Sequence, residues 1–549
     1  MEIKNLLNSQ YEDIIEFLTQ FDFKSHKPSS VTILKLISGS LVGLGAVYVF
    51  KIWNSYQFFK RRGVNTVSYK FFYGNYKEIF DKMKYSDTTR EWTQKYGKTY
   101  GYFEGHYPIL VTSDLNIIQE VYIKQAANFS ARKKFFIAQG DDNPTQDLFT
   151  SSRLRWKKMR NIMNPTFSSS KLRELSPDLV KCTDRLIEIL ESNTDHEINV
   201  LEFFKRYTMD TIWNCAFGID ANIQIDPSNE YYVNCERAFR LYGMGGIAQF
   251  IGMYFHEFKS VTFSVLMLIN KLMSKFVDLE SRIPLFWFYN RVFELVDKRK
   301  VEGIRKRDYL QILIDAENES SKDDQSNEVN YTNVNFEKKM TLDEIKQNMT
   351  LFMFAGYETT STTLGNCIHM LAKYQDEQTR LYDEIRSFFD SENDPKIDSD
   401  SVQKIEYLDM VIKEVMRLYP VGDLARRCTK RTNVKGIDIP EDLVVAVDIL
   451  TIHNDPEIWG PVDPKKFYPD RFSKEIKRNP ISFMGFGIGP RNCLGMKFAM
   501  TELKVAICKI LLKYEILQLA NDKKDLEIFE VIIRVPVNGI RVTLKKRNT

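Results

Sequence analysis

Between Thr341 and Tyr374 the chain runs without a proline and is apolar on most sides, and no other stretch constrains the fold as much. Thr341-Leu342-Asp343-Glu344 opens it with a hydroxyl residue three positions ahead of a glutamate, the pattern of a capping box. Met349, Leu351, Phe352, Met353, Phe354 and Ala355 leave little polar surface at its centre, so the spacing predicts a helix buried on most sides. At about 1.5 Å per residue it would span roughly 45 to 50 Å, enough to cross a whole large domain. It follows a polar connector, 315–339, that reads as solvent-exposed chain.

Helical periodicity also marks Ser169 to Leu190, Leu201 to Ala216 and Ile405 to Tyr419, while Tyr107 to Thr112, Leu443 to Val447 and Ile532 to Leu544 read as strands between turns. The fold class is therefore mainly α with a minor β portion. A chain of 549 residues suggests more than one domain. No repeat and no Gly/Pro-rich linker divides it after its first segments, however, so one large catalytic domain over 54–549 is expected. The net charge of +4 is the small difference between 77 basic and 73 acidic residues, which gives no argument for a nucleic-acid partner. Seven cysteines, odd in number and without a CxxC pair, speak against a disulfide framework or structural zinc and favour a reducing compartment. The Asn-x-Ser/Thr triplets at Asn128 and Asn330 are then chance matches.

Ahead of the catalytic domain, 31–53 reads as a transmembrane helix and 1–30 as an N-terminal segment without assigned function. Val31 to Trp53 is long enough to cross a bilayer if Lys35 reaches the interface, although the uninterrupted apolar part, Leu36 to Phe50, is short. Lys51, Lys60, Arg61 and Arg62 follow it and mostly acidic residues precede it, so the positive-inside rule places the bulk of the protein on the cytosolic side. An ordinary buried helix is the alternative.

The chemistry centres on Phe486-Gly487-Ile488-Gly489-Pro490-Arg491-Asn492-Cys493-Leu494-Gly495, directly before an amphipathic helix. A cysteine in a glycine-bounded loop at a helix N-terminus meets backbone N–H groups and the positive end of the helix dipole, which favour a thiolate. Gly489 and Gly495 allow sharp turns and close approach to a flat macrocycle, Phe486 shields the sulfur, and Arg491 is placed to meet a carboxylate of that macrocycle. A small buried cysteine in a strand-to-helix turn is the bland alternative.

This stretch resembles the FxxGxRxCxG haem signature of the cytochrome P450 family, and further segments resemble that family's pattern in the same order. Glu414-Val415-Met416-Arg417 is similar to its ExxR helix, and Phe467 to Phe472, containing Arg471, to its PxRF segment. Together Glu414, Arg417 and Arg471 imply a buried ion network that holds the cysteine loop; as a bare pattern, ExxR is equally an exposed salt bridge. Ala355-Gly356-Tyr357-Glu358-Thr359 resembles the distal (A/G)GxxT segment. The resemblance implies that Gly356 opens the helix, that Thr359 donates a hydrogen bond toward bound dioxygen and that Glu358 relays protons. Trp156 and Arg160 resemble the WxxxR element, and Arg426 another arginine, that meet haem propionates. Lys157, Lys158 and Lys497 add either a basic docking face or a merely solvated charge run. Phe135, Phe136, Phe352, Phe354, Val421, Leu424 and Val535 fall in substrate-recognition regions, all apolar, although core packing accounts for any one of them equally well.

The wording of these segments is closest to the animal microsomal group that includes the subfamily-three enzymes and thromboxane synthase. The resemblance implies haem with an axial cysteine thiolate, O2, a lipophilic substrate such as a steroid, fatty acid or xenobiotic, and electrons from NADPH through cytochrome P450 reductase, with cytochrome b5 as a second donor. It implies the endoplasmic reticulum membrane, with the catalytic domain facing the cytosol. A peroxide isomerase or synthase that needs no reductase, and a non-catalytic haem-binding membrane protein, are the rival readings; retention of Glu358 and Thr359 favours monooxygenation. Two departures stand out: no proline-rich hinge follows the anchor, and Gly485 replaces the usual proline before Phe486.

Overall fold

The computed structural model describes residues 30–80, 84–133, 146–243, 264–265, 268–269, 272, 284–316, 340–390, 396–519, 525–530 and 533–547. Phe135, Phe136 and most of the connector at 315–339 lie outside the described residues. The chain divides into two compact units, Met1–Phe58 and Phe59–Thr549.

In the first unit, α1 (Ser30–Tyr56) forms over the expected anchor. Leu41, Val42, Leu44, Val47 and Phe50 on it are exposed. Among the described residues, however, no helix is long and apolar enough to cross a membrane. Ser38, Gly39 and Ser40 on one side and Lys51, Asn54 and Ser55 on the other leave a short apolar centre.

The second unit is built around the long helix. Its helices that bear on the site are α2 (Arg153–Met163), α3 (Ser169–Glu191), α4 (Val200–Phe217), α5 (Glu230–Gly243), α6 (Pro284–Glu302), α7 (Tyr309–Asp315), α8 (Leu342–Lys373), α9 (Gln375–Asp390), α10 (Glu406–Leu418), α11 (Ile449–His453) and α12 (Met496–Lys513). Helix α8 starts where the sequence said: Glu344 N–H donates to Thr341 Oγ1 (3.1 Å) and Thr341 N–H to Glu344 Oε2 (3.0 Å). With 32 residues it extends about 48 Å, and from Thr360 to Ala372 every residue is buried.

Helix α4 lies closest along it. The Thr208 hydroxyl donates to the Tyr357 carbonyl (3.0 Å), and a Cβ on Gly356 would sit 2.8 Å from Ile212 Cδ1. Gly356 therefore serves close helix packing; α8 is α-helical throughout, with no opening at that residue.

The minor β portion consists of small sheets. In the largest, β1 (Thr99–Glu104) and β2 (Tyr107–Thr112) form a hairpin, β7 (Val444–Val447) adds to β2 in parallel, with Ile109 opposite Val444, and β4 (Leu424–Arg427) closes it antiparallel. A three-stranded sheet joins β3 (Glu197–Asn199), β11 (Arg541–Lys546) and β8 (Tyr514–Gln518). Two hairpins remain, β5 (Thr432–Val434) with β6 (Ile437–Ile439), and β9 (Ile528–Glu530) with β10 (Arg534–Pro536). The run from Ile532 to Leu544, read as one strand, is thus divided between β10 and β11. Gly539 turns the chain at φ 70°, and a Cβ there would collide with Asn199.

Candidate active site at the cysteine loop

The loop before α12 is shaped by its own backbone. Gly487 N–H donates to Met484 O (2.9 Å), Asn492 N–H to Gly489 O (3.1 Å) and Cys493 N–H to Phe486 O (2.8 Å), which closes the turn around the cysteine. Gly489 is required twice over: its φ is 71°, and a Cβ would lie 2.0 Å from the Tyr122 carbonyl oxygen. Gly487, which sequence reasoning passed over, also has a positive φ of 72°. Gly495 does not meet the expectation of a special turn, since its φ is −82° and a Cβ would find only an ordinary contact at 3.7 Å from Phe167. The Gly485 departure has a local cause: a Cβ there would sit 2.6 Å from the Phe483 ring.

Cys493 is the one exposed cysteine; the other six are buried. Burial of its surroundings pushes its thiol above the ordinary value, against the Gly495 N–H and the Arg160 and Arg132 charges, which pull it down. The backbone N–H that the sequence argument called for is thus present, and burial works against it. A cation bound to the sulfur supplies the missing term, because metal coordination deprotonates a thiol outright.

Four guanidinium groups surround this loop. Arg491 stacks over Trp156, 4.7 Å from the ring centroid, and donates to the carbonyls of Ser130 (2.8 Å) and Ser151. Arg426 is buried, sits over Tyr122 at 4.9 Å and reaches the Arg491 carbonyl (3.5 Å). Arg132, which no motif pointed to, leaves its buried Nε without a hydrogen-bond partner. Arg160 binds the loop itself, through Asn492 O (2.7 Å) and Asn492 Oδ1 (2.8 Å), and so braces the residue before the cysteine where a propionate contact was expected.

None of the four has a carboxylate ion-pair partner among the described residues, and their effect on one another is repulsive. Burial, then Arg132, Arg426 and Arg160, hold Arg491 well below its usual range, and burial with Arg426 pushes Arg132 down to about 9. Crowded buried cations without counter-ions call for an anion. A planar group bearing two carboxylates and a metal ion fits both needs, the anionic one of the arginines and the cationic one of the sulfur. Haem is such a group.

Behind the loop, Glu414, Arg417 and Arg471 form the expected network, with relative exposures of 0%, 0% and 2%. Arg417 is bidentate on Glu414 (2.7 and 2.8 Å), Arg471 Nε reaches Glu414 Oε1 (3.2 Å), and Tyr468 N–H donates to the same oxygen (3.1 Å). Backbone carbonyls of His453, Trp459, Val462 and Pro464 take the remaining guanidinium donors. Sequence reasoning missed His453. Its Nε2 accepts from Met484 N–H (3.1 Å), so Nδ1 carries the proton and donates to Arg417 O (2.9 Å), linking the network to the start of the cysteine loop. Burial pushes its pKa down to about 3.

On α8 the two adjacent residues of the distal segment face different neighbours. Thr359 is half-buried beside exposed Ala355, and its hydroxyl donates back to the Ala355 carbonyl (2.7 Å). Glu358 is buried and paired with Lys205 (3.3 Å), which also binds Glu236 (3.1 Å). Burial raises the Glu358 carboxyl, and Lys205 opposes that. The structure therefore does not bring Glu358 and Thr359 together as a pair.

The expected pocket residues separate likewise. Phe352 packs on Phe167 and Tyr309, and Phe354 on Phe239 and Phe288, so both are held in aromatic clusters. Val421, Leu424 and Val535 are brought close to one another by the Arg534 N–H bond to Val421 O (2.8 Å). A charged residue that the sequence reading passed over, Asp423, stands among them, so the wall is not wholly apolar.

The family model for Cytochrome P450 matches residues 67–542. Cytochrome P450 3A27 of Oncorhynchus mykiss is 29% identical over 510 residues, 92% of this chain and 93% of that protein. Cytochrome P450 3A29 of Sus scrofa is 30% identical over 424 residues (76% and 78%), and Cytochrome P450 3A41 of Mus musculus 32% over 426 (76% and 79%). Likeness of this extent to 3A relatives accounts for the cysteine loop, the glutamate–arginine network and the arginine cluster together: the chain belongs to the cytochrome P450 family, as a monooxygenase whose cofactor is iron protoporphyrin with a cysteine as axial ligand.

Proposed function

We propose that Cys493 is the axial ligand and that the protein inserts one oxygen atom from O2 into a lipophilic substrate, with electrons from NADPH delivered by cytochrome P450 reductase and, as a second donor, cytochrome b5. The observation that carries this reading is a single exposed cysteine in a closed loop, ringed by four arginines that have no carboxylate ion-pair partners among the described residues. When bound, haem supplies dioxygen binding and activation, and its axial sulfur donates electron density that favours O–O cleavage.

The chain's own residues do the rest. Arg132, Arg426 and Arg491 hold the propionates, with Trp156 stacked beneath Arg491. Arg160 fixes Asn492, Phe486 covers the sulfur, Gly489 sets the turn, Gly495 points its N–H at the sulfur, and Glu414, Arg417 and Arg471 brace the loop through His453. Thr359 Oγ1, which donates to Ala355 O, would be free to turn and donate toward dioxygen when the haem is in place. Glu358 brings protons after exchanging its Lys205 contact for one with water. Val421, Leu424 and Val535 provide the apolar wall for the substrate. The exposed apolar residues of α1 and the basic residues Lys60, Arg61 and Arg62 that follow support anchoring at the endoplasmic reticulum membrane, with the catalytic domain in the cytosol.

The test is Cys493→Ala in the full-length holoprotein. The wild type should give the red-shifted Soret band of a reduced, CO-bound thiolate haem, and the variant should not. An unchanged spectrum would overturn the assignment of the ligand.

A further inference from the structure

We propose that the carboxylate of Asp423 recognises a positively charged nitrogen on an otherwise lipophilic substrate, an inference that rests on reading this site as the monooxygenase pocket. Val421 and Leu424 are buried, yet Gly422 and Asp423 between them are exposed. Chain packs on both sides of this segment. Gly422 pairs with Ile533 and Arg534 N–H donates to Val421 O, while Arg427, three residues on, donates its N–H to Ala131 O (2.9 Å). Asp423 is crowded by chain and yet keeps accessible surface, so its open side faces an enclosed space. A Cβ on Gly422 would meet nothing within 4 Å, and the Leu424 side chain comes within 3.4 Å of the Cβ position of Gly487 in the cysteine loop.

The Asp423 carboxylate accepts from its own backbone N–H and has no ion pair among the described residues. The charges that act on it are Lys133, Arg132 and Glu104. Lys133 is already committed to Glu104, and Arg132 is one of the four arginines that also face the cysteine loop. Glu530, a further carboxylate whose charge acts on Asp423's side of the fold, is held by Ser86 (2.6 and 2.9 Å) and Arg534. Asp423 alone of these acids has no committed partner. Burial raises its carboxyl above the ordinary range.

An enclosed carboxylate with no cation in contact is costly, and a ligand cation removes that cost. A neutral hydroxyl would gain a hydrogen bond only about half as strong as the charge-assisted one. An acid retained merely to neutralise Arg132 or Arg426 would be expected to touch one of them, and Asp423 touches neither.

The full-length holoenzyme should be titrated with dodecyltrimethylammonium, whose nitrogen has no lone pair to ligate iron, and with dodecanol, using substrate-induced shifts of the Soret band at neutral pH. Asp423→Asn should weaken ammonium binding by about tenfold or more, as expected when an enclosed ion pair is lost, and change dodecanol binding less than about twofold, with the thiolate CO spectrum retained. Asp423→Glu should keep the preference for the cation, which excludes a folding artefact. Equal weakening of both probes, or ammonium binding unaffected by the Asn change, would overturn the proposal, as would loss of haem from the Asn variant with ammonium affinity intact. Absence of the thiolate CO spectrum from the wild type would instead sink the haem-thiolate reading itself.

Discussion

Lowering the pH from about 7.5 to about 5 should cost this protein roughly 2 kcal/mol of stability through one side chain, His453. In the folded chain its ring lies buried between two backbone groups, accepting from Met484 N–H and donating to Arg417 O, with a pKa near 3 against an unfolded value of 6.5. Protonation would place a second donor against the Met484 N–H. As pH falls below 6.5 the unfolded chain takes up the proton and the folded chain does not, so stability is fully present above 6.5 and is lost progressively toward pH 3. Each pH unit is worth about 1.36 kcal/mol, so the 1.5 units between 6.5 and 5 amount to about 2 kcal/mol. Gln at this position offers one acceptor and one donor without titrating. Urea unfolding of the holoprotein at both pH values, followed by tryptophan fluorescence, should give a pH-dependent loss about 2 kcal/mol larger for the wild type than for His453→Gln. Equal losses in the two proteins would refute both the tautomer and the burial argument.

Two other substitutions probe the loop and its brace. Glu414→Gln leaves Arg417 and Arg471 buried without a countercharge and should cost about 3 to 5 kcal/mol, measured as a lowered urea midpoint together with faster haem loss; a variant of wild-type stability would mean that the backbone carbonyls alone hold the arginines. Gly489→Ala, forced into a left-handed conformation and against the Tyr122 carbonyl, should lose on the order of 2 to 4 kcal/mol and yield little haem-loaded protein; full haem occupancy would show that the loop can shift away from Tyr122.

What the sequence revealed follows from range. The capping box at Thr341 and Glu344, the helix that ends before Tyr374 and the Glu414–Arg417 pair are set by residues within a few positions of each other, so their spacing was sufficient. His453 and Arg132 act on groups far along the chain, Met484 and the cysteine loop, and no local pattern marks either. Glu358 and Thr359 meet different neighbours for a reason the sequence already contained: adjacent residues on an α-helix point about 100° apart. Asp423 was overlooked because its apolar neighbours at 421 and 424 set the tone of the segment. How far burial opposes the Gly495 N–H and the arginine charges at Cys493 is likewise invisible in a linear motif.

The close seating of α8 against α4 has a consequence for how substrate range can vary. With Ile212 filling the space at Gly356 and Thr208 tied to Tyr357 O, the rod beneath the reaction site has no slack to give. On the pocket proposed above, adaptation to ligands of different shape should come instead from the place where 421–424 meets 533–535 across a few backbone contacts. Mutational drift in selectivity should therefore accumulate there and leave the rod unchanged.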